Sequence, residues 1–153
     1  FDGPDARRRR RRGAARAADL FSGLGTFAFA LGGHVLAAEA ARDAHLACRQ
    51  AAARAGRPIE AVHCDLFRNP LRAEELRGFD GVILDPPRAG AREQVAQIAK
   101  SGVPRVVYIS CNPSSWARDG AMLKDAGYRL AELRPVGQFR WSTHVELASL
   151  FVR

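Results

Sequence analysis

Cysteine is scarce in these 153 residues: there are three, Cys48, Cys64 and Cys111, an odd number set far apart. That pattern excludes a disulfide scaffold. With no C-x-x-C pair and no Cys/His cluster, it also gives a structural metal nothing to bind, so neither a metal ion nor an iron–sulfur cluster is expected. Long apolar runs are missing as well. A membrane span needs roughly 20 consecutive apolar residues, and no stretch approaches that length or has the pattern of a secretory signal. The expectation is a monomer of the reducing cytoplasm that does not engage a membrane.

Acidic residues are outnumbered, 16 against 24 Lys and Arg, for a net charge of +8. The location of the excess matters more than its size. Arg7 to Arg12 account for six of the 24, leaving 18 bases against 16 acids, so the body of the chain is near neutral. Residues 1–16 therefore read as a basic linker or disordered segment, able to touch phosphates without choosing a partner. Residues 17–153 amount to one domain.

Within that domain strand and helix signals alternate. Short apolar runs at 17–21, 34–40, 60–66, 81–87 and 105–110 read as strands. Between and after them lie helical patterns: "TFAFALG" ending at Gly32–Gly33, an alanine-rich stretch over 41–55, "LRAEELRG", 91–101 and "SSWARDGAMLKDAG". Such alternation predicts a mainly parallel sheet. The last two strand-like segments, "YRLAELRPVG" and "HVELASLFVR", have no helix between them and predict an antiparallel hairpin at the sheet edge.

In open α/β sheets ligands bind beyond the carboxyl ends of the strands, and the informative residues fall there. Gly23 and Gly25 follow the first strand, Glu39 ends the second, Asp65 follows the third, Asp85 the fourth and Cys111 the fifth. "SGLGTFA" lets a ligand approach closely because glycine has no Cβ. It also overlaps the dinucleotide fingerprint, so a nicotinamide enzyme stays open on this motif alone. Glu39 can accept the ribose hydroxyls of any adenosine cofactor. In "ILDPPR" the prolines fix a rigid exit from the strand beside Asp85.

The segments "DLFSGLGTFAFALG", "ILDPPRAGA", "VVYISCNPSSWARD" and "PVGQFRWSTHVELASLF", in that order, resemble the catalytic domain of the RNA 5-methyluridine (uracil-5-) methyltransferases. The resemblance covers nearly all of residues 19–151 and implies a Rossmann-like class I fold dependent on S-adenosylmethionine, with RNA as partner and ribosomal RNA preferred over transfer RNA. It implies cofactor contacts at Phe21, Thr26, Glu39, Asp65 and Asp85, around the turn where Gly23 and Gly25 already read as cofactor-binding. It also implies a nucleophile at Cys111 and a proton-abstracting base at Glu146; His144, two residues before that base in "HVE", reads as structural or supporting. Carbon 5 of uracil is a weak nucleophile, and a thiolate added at carbon 6 turns the ring into an enolate reactive at carbon 5. Thiols ionise closer to neutrality than hydroxyls, which suits cysteine to the task. Family members usually carry an N-terminal RNA-binding domain not found in this sequence, and Gly137 stands where aspartate is frequent. A noncatalytic cofactor- or RNA-binding remnant is the alternative.

Overall fold

A computed structural model describes residues 15–137 and 145–153. In chain order the elements are β1 (Arg16–Leu20), α1 (Thr26–Ala30), β2 (His34–Glu39), α2 (Arg42–Arg54), β3 (Ile59–His63), α3 (Ala73–Leu76), β4 (Gly81–Leu84), α4 (Arg92–Ser101), β5 (Arg105–Ser110), α5 (Pro113–Asp125), β6 (Arg129–Gly137) and β7 (Val145–Val152). They form one seven-stranded sheet in the order β3-β2-β1-β4-β5-β7-β6. β1 to β5 run parallel, and β7 is antiparallel to both β5 and β6. The expected α/β fold and terminal hairpin are both present. β7 lies inside, and β6 forms the outer edge.

Alternation along the strands builds the core. Leu20, Leu84, Val106, Tyr108 and Phe151 join Val95 and Ile98 of α4 and Leu123 of α5 in one buried cluster. A second, smaller cluster joins Ala28 of α1 to Val35 and Ala37 of β2 and to Cys48 of α2. Cys48 is thus a packing residue. β6 is exposed at all but one position, and its charged residues and Pro135 discourage pairing with another chain's edge.

Several boundaries differ from the sequence reading; β3, for one, ends at His63 and not at 66, and α3 spans only Ala73–Leu76. β1 begins at Arg16, inside the stretch read as linker, because Arg16 pairs with His34 and its N–H donates to Asp80 at 2.9 Å. The first helix is also shorter than "TFAFALG" suggests. Leu31 turns to extended backbone, closing α1 after five residues. Arg7 to Arg12 and His144 lie outside the described residues.

β1 pairs with β2 on one side and β4 on the other, so the chain reverses its direction of winding between β1 and β4. This is the switch point at which open α/β sheets place their ligands.

Candidate active site

The turn after β1 is shaped by unusual backbone. Phe21 has φ 63, Gly23 φ 53 and Gly25 φ 88. Gly25 is also required by space, since a Cβ there would lie 2.7 Å from the Cys48 sulfur. Phe21 has no such exemption. A non-glycine residue in the left-handed region carries strain and persists only where its surroundings fix it. Here its ring packs against Phe67, with centroids 5.3 Å apart.

Glu39 ends β2 and ties this turn to the next one. Its carboxylate accepts the Gly23 N–H at 2.8 Å and the Ala41 N–H at 2.7 Å. Both bonds orient the side chain before any ligand arrives, and each oxygen retains a further lone pair. Asp65 does similar work after β3, accepting the Phe67 N–H at 3.0 Å and the Arg68 N–H at 3.3 Å. It thereby holds the turn that presents Phe67.

Phe21, Glu39, Asp65, Phe67, Asp85 and the two prolines after it line a cleft of about 340 Å³, within the range of small-molecule sites. The structure therefore brings together Phe21, Glu39, Asp65 and Asp85. Gly23, Gly25 and Thr26 shape the adjoining turn without lining the cleft, and Thr26 opens α1 with an exposed side chain. Cys64 lines the cleft too, and its thiol, raised by burial and then by nearby acids, donates to the Asn69 carbonyl at 3.3 Å.

The electrostatics select the ligand's charge. Asp19 is fully buried beneath the glycine turn, and Oδ2 accepts the Ala28 N–H at 2.9 Å while Oδ1 has no hydrogen-bond partner. Burial pushes its carboxyl up to about 6 despite that bond, and the like charges of Asp85 and Glu39 add to the effect. The Asp85 carboxyl is also raised, first by desolvation and then by Glu146. Asp85 is nevertheless solvent-accessible, so it meets water on one side and crowded protein on the other. The cleft lining contains three carboxylates and no basic side chain. Such a site repels a pyrophosphate and favours a cation, which counts against a nicotinamide dinucleotide. A sulfonium carrying an adenosine fits the carboxylates, the paired aromatic rings and the glycine turn.

Cys111 and Glu146 do not line the cleft, but Glu146 is near enough to Asp85 to raise its carboxyl. The antiparallel register of β5 and β7 ends with Ser110 opposite Leu147. Cys111 is the residue after Ser110, just past the end of β5, and Glu146 is the residue before Leu147 on β7. Both residues are partly buried. Cys111 follows β5 directly and precedes Asn112, whose side chain caps α5 by accepting the Ser114 N–H at 3.1 Å. β7 is bound to this region through Ser149, which accepts from the Trp116 ring N–H and donates to the Tyr108 carbonyl, each at 2.9 Å. Among the described residues, no group of three His, Cys, Asp or Glu side chains could hold a metal, and no helix is long and apolar enough to cross a membrane.

Sequence reasoning missed Asp19, Phe67 and the buried Asp119 of α5. Asp19 could have been found as the one acid inside the apolar run "AADLF". Phe67 carries no such signal, since a lone aromatic in a turn has many explanations.

Residues 67–153 match the model of the family described as tRNA (Uracil-5-)-methyltransferase. An uncharacterized RNA methyltransferase of Zymomonas mobilis is 55% identical over 138 residues, 89% of this chain and 35% of that protein. A 23S rRNA (uracil(1939)-C(5))-methyltransferase of Yersinia enterocolitica is 38% identical over 90% of this chain and 32% of its own length. Among solved structures, the tRNA (uracil-54, C5)-methyltransferase of Pyrococcus abyssi, in complex with S-adenosyl-L-homocysteine, superimposes with a TM-score of 0.79. It is 31% identical, over 90% of this chain and 34% of that one. The chain thus spans about a third of the length of the relatives it matches.

Proposed function

The chain belongs to the tRNA (uracil-5-)-methyltransferase family, and from that premise we propose that it methylates carbon 5 of a uridine in RNA through a covalent bond from Cys111 to carbon 6. The observation that supports this reading is the cleft lined with three carboxylates, one of which, Asp85, is raised by its neighbour Glu146, the residue of β7 next to the one that pairs with the end of β5.

Glu39 and Asp65 would hold the adenosine part of S-adenosylmethionine, Phe21 and Phe67 would flank it, and Asp85 would stand towards the target base. When bound, that cofactor supplies an electrophilic methyl group on a sulfonium. The Cys111 thiolate forms a carbon–sulfur bond at carbon 6, and the ring electrons displaced by it make carbon 5 the nucleophile. Once carbon 5 carries the methyl group, Glu146 takes its proton, the double bond re-forms and the thiolate leaves. Release of that proton to solvent restores the Glu146 carboxylate, and thiolate and base return to their starting states. Ribosomal RNA stands ahead of transfer RNA as substrate, in keeping with the higher identity to the 23S rRNA enzyme than to the tRNA enzyme.

The test is nucleoside mass spectrometry of RNA incubated with the cofactor and this chain. The expected product is 5-methyluridine. Glu146→Gln removes the base while keeping side-chain size, so a protein–RNA adduct carrying the labelled methyl group should accumulate and survive denaturing electrophoresis. Turnover without such an adduct would remove Glu146 from the role of base. Retained binding of S-adenosylhomocysteine without 5-methyluridine would leave a noncatalytic remnant.

A further inference from the structure

The start of α5 grips the loop after Asp85 at three backbone groups. The Asn112 amide donates to the Arg88 carbonyl at 2.9 Å, and the Arg118 guanidinium donates to the Ala89 carbonyl at 2.9 Å. Asp119 accepts the Ala91 N–H at 2.8 Å. Asp119 is wholly buried, and the same oxygen takes the Tyr108 hydroxyl at 2.6 Å. Its other oxygen takes the Arg118 Nε–H at 2.9 Å. A buried carboxylate tolerates its site when its charge is paired and its oxygens bonded, as here.

The joint is built at close quarters. Gly90 has φ 79, and a Cβ there would lie 2.6 Å from Asp119 Oδ2 and 2.7 Å from Arg118 Nη2. Tyr108 lies on β5, three residues before Cys111. A single carboxylate therefore joins the strand that leads to Cys111, the helix that follows it and the loop that follows Asp85. Pro86 and Pro87 have their φ angles locked by their rings. A displacement of residues 88–91 is thus passed back to Asp85 more readily than it is absorbed.

We propose that Asp119 is a positioning residue for methyl transfer: by locking residues 88–91 to β5 and α5, it fixes where Asp85 stands relative to Cys111. The proposal rests on the function argued above, and Asp119 acts through the loop. A merely structural acid would lower stability and leave the kinetics of each folded molecule alone.

Two variants separate the cases. Asp119→Asn is nearly isosteric, and Arg118→Gln releases the Ala89 carbonyl and Asp119 Oδ1 while leaving the Ala91 and Tyr108 bonds to Oδ2 in place. The measurements are amide exchange at residues 88–91, NMR titration of the Asp85 carboxyl, affinity for S-adenosylhomocysteine and steady-state methylation. In Asp119→Asn the Ala91 amide should exchange at least about tenfold faster. The Asp85 carboxyl should titrate lower, towards the ordinary carboxylate range, as its crowding relaxes. The kcat should fall at least about tenfold, with KM for RNA and cofactor-product affinity held within about twofold. Arg118→Gln should move each readout the same way by less. Unchanged exchange at Ala91, or an unmoved Asp85 titration in a folded variant, overturns the proposal, as does an unaltered kcat. If the unmutated chain makes no 5-methyluridine, the reading of function fails separately. Exchange and the Asp85 titration then still decide whether Asp119 sets this geometry.

Discussion

At the amino ends of β1 to β3 lies a hollow of about 630 Å³, bordered by Arg16, His34, Arg57, Glu60 and Phe79. At the carboxyl ends of the same strands lies the cleft of about 340 Å³ that holds Glu39, Asp65 and Asp85. The larger space has its cations occupied with the fold. The Arg16 guanidinium stacks on Phe79, 4.7 Å from the ring centroid, and Arg57 donates to the carbonyls of Phe29 at 3.0 Å and of Leu31. The smaller space is where acids crowd one another, where Asp19 keeps an unbonded buried oxygen and where Phe21 holds strained backbone. Groups held against their own preferences mark a site better than volume does.

The largest effect that could break this comparison lies at Cys111. Cys111→Ala should reduce 5-methyluridine formation by roughly 10⁴–10⁶-fold, as expected when a covalent nucleophile is removed. It should also abolish the adduct formed with RNA containing 5-fluorouridine, whose fluorine cannot leave as a proton does. An adduct formed by Cys111→Ala would move the nucleophile elsewhere.

Asp19 gives the next largest effect, and its sign is fixed by proton uptake. With the folded carboxyl at about 6 and its ordinary value at 3.8, the folded protein keeps a proton that the unfolded chain has released between those pH values. Its contribution to stability therefore grows as pH falls from neutrality through about 6, and is complete below 3.8. The whole contribution is about 3 kcal/mol. Asp19→Asn should flatten the stability curve between pH 7.5 and 4.5 by most of that amount. Chemical denaturation showing the same slope in both proteins would mean that Asp19 does not titrate in this window.

Much of the fold is legible in the sequence because buried parallel strands leave unbroken apolar runs, and because glycine or proline punctuates their ends. Glu39, Asp65, Asp85 and Cys111 are legible for the same reason: a strand's end is where an α/β sheet displays chemistry. What escapes is what depends on two distant segments at once. Phe67 acquires meaning only because Asp65 shapes its turn and Phe21 has a left-handed φ. Asp119 lies on a helix, where an acid ordinarily faces water, and only the approach of Gly90 shows why it is buried. That the end of β5, next to Cys111, meets the residue next to Glu146 is fixed by the β5–β7 register, which no local pattern states.

A smaller effect, confined to binding, belongs to Glu39. Glu39→Gln keeps an acceptor for one of the two backbone N–H groups but loses the charge. Losing one charge-assisted hydrogen bond costs about 1.5–3 kcal/mol, so calorimetry should show at least about tenfold weaker binding of S-adenosylhomocysteine. Unchanged affinity would leave Glu39 as a brace between the turns after β1 and β2.

The smallest functional effect is expected at the amino end, and it sharpens the comparison most directly. Arg57 bridges two carbonyls around the end of α1, so Arg57→Ala should cost stability, on the order of 1–3 kcal/mol for lost bonds from a charged donor. That loss is local to the far end of the sheet. Affinity for S-adenosylhomocysteine, measured well below the melting transition, should stay within about twofold, and so should methylation per folded molecule, because separated sites with no shared partners contribute nearly independently. A tenfold loss of cofactor-product affinity at unchanged folded fraction would show that the two ends are coupled through β1 and β2. The larger hollow would then belong to the working site after all, and the contrast drawn between the two ends of the sheet would fail.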